Sequence, residues 1–322
     1  MVNRGKLVWY AQIIFSLLLL IILIYKIDYK ESLHLIMFMP FEFFIMAFIL
    51  NSFGGLFVSA YQYQQTLVDH SRCKVSSFVK VNFIIRYYLL VIPAAVAIGL
   101  RWLHFKKIGV SGSQAIYIML VNKLVQLLVL TLVLISILLS PSFFYEEGLG
   151  NMIYIFSVAS FAGVLLIFLM IFSDKGRDKI KNIGSGSKSK YIKKIHIKLQ
   201  NILIVAEKFE RKKFIVVVSL GVLSHFLIIV SQYLICLSLN VSLNIIEIAF
   251  ARSFVALLML MPISIGGIGV REVGFVGVLT LFGVDSEAGL ALALVLLIFQ
   301  LINGGIGFFF TIYDGQAYKL EL

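Results

Sequence analysis

Charge is scarce in this sequence. Asp, Glu, Lys and Arg make up 14% of 322 residues, against about 25% in soluble domains, which excludes a water-covered surface for most of the chain. Cysteine is nearly absent: Cys73 sits in a basic stretch and Cys236 in an apolar one, so no disulfide framework or metal-ligand spacing is available. No Ser-His-Asp set, paired carboxylates or phosphate-binding glycine loop stands at a usable spacing. The reading therefore leans away from an enzyme and implies no cofactor, although catalytic groups converging from distant helices leave the question open. His225 has no second ligand nearby in sequence and is read as a helix-to-helix hydrogen bond rather than a metal ligand.

What is abundant is apolar. Hydrophobic residues form 61% of the chain and mean hydropathy is +1.01. A hydrocarbon core about 30 Å thick takes about 20 helical residues. Residues 7–25, 151–172, 214–239 and 288–313 carry no charge, 37–60 carries only Glu42, and 113–140 only Lys123. These are six expected spans, the first read as a retained signal anchor.

The isoelectric point near 9.6 reflects topology rather than nucleic-acid binding. Basic residues gather in 1–6, 61–74, 101–107 and above all 174–213, which holds thirteen basic and four acidic residues. Loops 26–36, 141–150, 240–247 and 284–287 hold at least as many acids as lysines. The positive-inside rule puts the first set and both termini in the cytoplasm of a cell-membrane protein, inner or plasma membrane, and the second set outside. Residues 75–100 then begin and end on one face, as do 245–283. Pro93 interrupts the first segment; Pro262 and the following glycines interrupt the second.

Span, span, hairpin, span thus occurs twice, in 1–140 and in 149–322, the latter including the cytoplasmic loop 174–213. An odd number of crossings inverts the second half. The expected fold is an all-α integral membrane protein with six transmembrane helices and two broken re-entrant hairpins in an inverted repeat. Arg86 and Arg101 flank Pro93, and Arg252 and Arg271 flank Pro262, an arrangement that inverted-repeat transporters use to build a midplane site.

The segment Pro262-Ile-Ser-Ile-Gly-Gly-Ile-Gly-Val-Arg-Glu272, followed by an apolar helix and Phe282-Gly-Val284, resembles the lysylphosphatidylglycerol synthase transmembrane region, or flippase-like domain, family. Pro93-Ala-Ala-Val-Ala-Ile-Gly-Leu-Arg101 keeps that family's early Pro and Arg but lacks the acid usual before the Arg. Val121-Asn-Lys-Leu124 is similar to its polar and basic step, and Phe299-Gln300 stands where a base is frequent. The chain ends within about ten residues of its last span, so the resemblance implies the lipid-moving part without the aminoacyl-transfer domain.

An ionisable group at bilayer depth costs about 2.5 to 3.5 kcal/mol on insertion scales. Arg271 and Glu272 are accordingly the first site candidates, with Arg271 on a lipid phosphate beside the N–H groups of Gly266, Gly267 and Gly269. The alternative is a structural ion pair that locks the break. Arg86, Arg101, Lys123 and Arg252 are further stations for an anionic head group, and Arg101 also suits a snorkelling interfacial residue. The resemblance implies a flippase-like transporter of an anionic phospholipid or a polyprenyl-phosphate-linked saccharide. A membrane transferase or an accessory subunit of a lipid-glycan or cell-envelope pathway stays open.

Within 174–213, Ile192, Ile195, Leu199, Ile202, Ala206 and Phe209 recur at three- and four-residue steps among lysines, which predicts an amphipathic helix on the membrane surface. Setting orientation, or docking a cytoplasmic or membrane partner, are the other readings of this loop.

Overall fold

A computed structural model describes residues 4–68, 73–138, 155, 158–167, 173, 196, 200, 202–207, 209–260 and 264–313. All regular structure among them is helical. Helices α1 (Arg4–Lys26), α2 (Tyr29–Met37), α3 (Phe41–Ser52), α4 (Ser59–Gln65), α5 (Val75–Val91), α6 (Ala94–Lys107) and α7 (Gly112–Leu138) are followed by α8 (Arg211–Ser238), α9 (Ile245–Leu258), α10 (Val270–Thr280) and α11 (Ser286–Tyr313). Five stretches are long and apolar enough to cross a membrane: Trp9–Lys26, Phe41–Gln65, Gly112–Ile135, Lys212–Ser238 and Ser286–Tyr313. They coincide with five of the six expected spans. Most of the sixth, 151–172, and Pro262 lie outside the described residues; Val158–Ile167 within that span is an apolar helix.

The second span is not a uniform α-helix. A π-helix, Phe53–Val58, joins α3 to α4, and this wider winding displaces carbonyls from their usual partners. Ser224 Oγ donates to the Gly54 carbonyl at 2.7 Å and Asn82 Nδ2 to that of Leu56 at 2.9 Å. Polar side chains in apolar helices thus satisfy backbone groups that lipid cannot.

The chain divides into two compact units, one of residues 1–57, 79–101 and 224–322, the other of 58–78 and 102–223. This is a grouping by contact, whereas the proposed repeats 1–140 and 149–322 concern internal resemblance.

In the first unit α11 is central, packing against α2, α3 and α10. Phe299 meets Phe44 and Phe48 edge-on, each at 5.2 Å, and Asn303 and Ser52 are bonded at 3.0 Å. Helix α1 contributes one buried stripe, Gln12, Ser16 and Leu23, continued by Ile27 just past its end, and exposes Ile14, Leu17, Ile21 and Tyr25.

Helices α9 and α10 pack on each other, and the start of α9 meets the end of α10. Leu239–Ser242, leading into α9, and Phe282–Val284, following α10, line one cleft of about 410 Å³ with Asp28, Glu31, Asp285 and Glu287. The hairpin therefore returns to the end from which it started. At 1.5 Å per residue its arms are only about 21 and 17 Å long, short of a 30 Å core. The first broken element is interrupted at Ile92-Pro93, between α5 and α6.

In the second unit Tyr63, Phe78 and Phe105 pack edge-to-face at 5.4 to 6.3 Å. The turns at its end are tied together: Cys73 Sγ donates to the Ile108 carbonyl at 3.2 Å, and Trp102 Nε1 to that of Gly112 at 3.0 Å. Here one expectation changes. Ala206 and Phe209, with Ile202 and Val205, pack against Tyr117, Val121, Val125 and Val217 of α7 and α8, the Phe209 and Tyr117 rings 5.7 Å apart. The apolar stripe over 202–209 is thus covered by protein and not by the membrane surface. A 3.6-residue period reports that a face is buried without naming what buries it. Ile192, Ile195 and Leu199 lie outside the described residues.

Candidate functional site

The tip of the second hairpin explains its own composition. Gly266, Gly267 and Gly269 have φ of 61, 81 and 85°, a region closed to most side chains. Close approach adds a second constraint. A Cβ on Gly266 would stand 2.8 Å from the Leu89 carbonyl oxygen, and one on Gly269 3.0 Å from that of Ser16. Leu89 lies four residues before Pro93, so the two helix breaks, distant in sequence, touch in the structure. Helix α1 supports the tip from the other direction, the Ile265 N–H donating to Ser16 Oγ at 3.3 Å.

Arg271 and Glu272 begin α10 and are 5% and 0% exposed. A cation here is opposed by the positive end of the helix dipole, whereas a carboxylate is favoured. Glu272, at the third helical position, therefore serves twice. Its Oε2 accepts from the Gly269 N–H at 2.6 Å, the reach-back of a capping box, and its Oε1 accepts from Arg271 Nε at 3.0 Å and Nη2 at 2.6 Å. Arg271 Nη1 donates to Gln300 Oε1 at 2.7 Å, and Gln300 Nε2 donates to the Gly266 carbonyl at 3.2 Å. Gly266, Gln300, Arg271, Glu272 and Gly269 thus close a ring of hydrogen bonds over the glycine turn.

The ring leaves specific donors over. Among the described residues three of the five guanidinium N–H groups of Arg271 are used, leaving two. Among the described residues the N–H groups of Gly266 and Gly267 have no partner, and successive free amides in a turn form an anion-binding concavity. The Gly269 N–H, by contrast, is taken by Glu272.

The remaining candidates are dispersed. Arg252 on α9 and Arg86 on α5 are half-buried and close enough to interact electrostatically. The Arg86 Nη2 would stand 3.3 Å from a Cβ on Gly55 of the π-helix. Arg101 is half-buried on α6. Lys123 belongs to the second unit, is exposed, and donates to Gln126 at 3.1 Å. Gln300 is the residue that sequence reasoning undervalued, as a mere departure from a family pattern; its signal was an amide, one of two with Asn303, in an otherwise apolar span.

A glycine-capped helix break carrying a buried arginine, in a chain with five apolar helices of membrane-crossing length among its described residues, defines a polytopic helical membrane protein. Residues 9–306 match the family model described as the lysylphosphatidylglycerol synthase TM region, and the chain belongs to that family. No curated protein and no solved structure matches it.

Proposed function

We propose that this protein moves an anionic lipid, a phospholipid or a polyprenyl-phosphate-linked saccharide, between membrane leaflets, holding its phosphate at the tip of the second hairpin. The observation that carries this reading is the donor set left unspent among the described residues: the Gly266 and Gly267 N–H groups beside an arginine with two further N–H groups. In a low dielectric such a set favours a phosphate strongly. Family membership supports a lipid as its bearer. On this reading the Arg271–Glu272 pair both locks the break and receives the ligand.

The test is leaflet exchange of fluorescent phosphatidylglycerol and of a polyprenyl-phosphate sugar in proteoliposomes. The parent should accelerate at least one, and Arg271→Lys, which keeps charge but loses the planar fork, should slow it about tenfold at equal reconstitution. A folded parent that exchanges neither lipid would overturn transport and favour a membrane transferase or an accessory subunit.

Orientation in a cell membrane follows from the charge pattern, with the basic loops and both termini cytoplasmic. Both native cysteines are buried, and burial pushes the Cys73 thiol up, so background labelling by a maleimide is slow. Asp285→Cys and Glu31→Cys should react with an impermeant maleimide applied outside intact cells. Reaction only after permeabilisation would invert the topology.

A further inference from the structure

The second span holds one residue more than a regular helix takes up over the same turns. Ile49, Phe53, Phe57 and Tyr61 are all exposed, and the Phe53 and Phe57 rings stack at 5.8 Å. On an α-helix each step of four residues drifts by about 40°, so Ile49 and Tyr61 would stand about 120° apart. The π-helix Phe53–Val58 absorbs one extra residue. That returns about 100° and leaves the two about 20° apart, so the exposed side of the span stays continuous.

This winding is held from outside. Its Gly54 carbonyl accepts from Ser224 Oγ of α8 at 2.7 Å and its Leu56 carbonyl from Asn82 Nδ2 of α5 at 2.9 Å. Seven residues further along α8, Ser231 Oγ donates to the Ala47 carbonyl at 2.7 Å, so one face of α8 grips both the α-helical and the π-helical part. The fit is close. A Cβ on Gly54 would stand 3.0 Å from the Ser224 carbonyl oxygen, and one on Gly55 3.3 Å from Arg86 Nη2. Asn82 and Arg86 are one turn apart on α5, and Leu89 follows on the same face, its carbonyl oxygen 2.8 Å from where a Gly266 Cβ would be. One helix therefore bears on the π-turn at Asn82 and on the hairpin tip at Leu89.

We infer that the π-helix is a register switch, clamped by Ser224 and Asn82 and coupled to the hairpin tip through α5. When these donors withdraw, the carbonyls recover partners by closing the shorter bonds of an α-helix, and Gly54 and Gly55 carry no side chain to obstruct the change. Residues on the two sides of the turn then rotate by about 100° about the axis of the span. Helix α5 loses its seat at Asn82, and the Leu89 contact with the tip shifts with it. A ligand at the tip biases the same equilibrium through the same helix. That last step rests on the transport reading; the switch itself does not.

Dipolar electron spin resonance between labels at Ile49→Cys and Tyr61→Cys, in detergent and with both native cysteines buried, reads the register. The parent should give one short distance. Asn82→Leu combined with Ser224→Ala should add a longer one, as the labels move from about 20° to about 120° apart. Deletion of Gly55 removes the extra residue and leaves an α-helix with the parent's faces in place, so it should keep the short distance alone even with both donor changes. It should also melt close to the parent, whereas deletion of Ala47 from the regular helix α3 misplaces everything beyond it by about 100° and should unfold the protein. A folded donor variant that shows only the short distance would overturn the switch. So would collapse of the Gly55 deletion alongside that of Ala47, a result that holds even where the donor variant fails to fold. In proteoliposomes where the parent exchanges fluorescent phosphatidylglycerol, the locked Gly55 deletion should slow exchange about tenfold or more; an unchanged rate would defeat the coupling to the tip. A parent that exchanges no lipid removes the transport reading, while the distances still decide the switch.

Discussion

Arg271→Met and Glu272→Gln are each expected to destabilise the protein by about 3 to 5 kcal/mol, because either leaves the other charge buried without its partner. The exposures of 5% and 0% make this a buried pair, to which the modest values of surface ion pairs do not apply. Glu272→Gln keeps an acceptor for the Gly269 N–H, so its cost falls mainly on the stranded guanidinium. The double variant is the informative one. Replacing both members of a buried pair by neutral groups of similar size is often neutral or stabilising, so the double variant should regain most of the lost stability. If the pair only locks the hairpin, lipid exchange should return with stability. If Arg271 also receives phosphate, exchange should stay lost in a well-folded double variant. Thermal melting in detergent and leaflet exchange, measured on the same four proteins, separate the two roles.

A second large effect is expected from one methyl group. The ideal Cβ of an alanine at Gly307 falls on the Phe83 carbonyl oxygen of α5, and backbone cannot move aside as a flexible side chain can. Gly305, two residues earlier on the same helix, has open space around its Cβ position. Alanine is favoured over glycine inside a helix by about 1 kcal/mol. Gly305→Ala should therefore be neutral or slightly stabilising, and Gly307→Ala should cost about 1 to 3 kcal/mol through overpacking. Separation of α5 from α11 should also disturb the tip, since α5 supplies the Leu89 carbonyl against Gly266. Equal melting temperatures for the two variants would mean that this close helix contact does not form.

Much of the architecture is legible in the sequence because hydropathy and helix breakers act locally. The apolar runs fix where spans occur, and Pro93 and the glycines of 266–269 mark where helices stop. Arg271 and Glu272 are visible as charges in an apolar context. What local pattern cannot reveal is which faces meet, since lipid-facing and protein-facing residues are apolar alike. Gln300 lies 29 residues from Arg271, and no period or motif links them. The π-helix at 53–58 is similarly hidden: its double glycine is also compatible with an ordinary packing notch. The stripe 202–209 shows the complementary limit, because periodicity recognised its buried face while the identity of the covering surface depended on α7 and α8.

If the proposed transport holds, helix α1 bears on how a lipid would reach the tip. It meets α10 and the glycine turn along one stripe, with Ser16 bonded to the Ile265 N–H, and presents Ile14, Leu17, Ile21 and Tyr25 outward. Only one helix diameter, about 10 Å, separates the turn from that outward face. A diacyl lipid whose phosphate reached Arg271 past α1 would leave its tails in the bilayer, so the protein need enclose only the polar end. The cavity required is then that of a head group, and chain length should matter little to the rate at which a lipid is turned over.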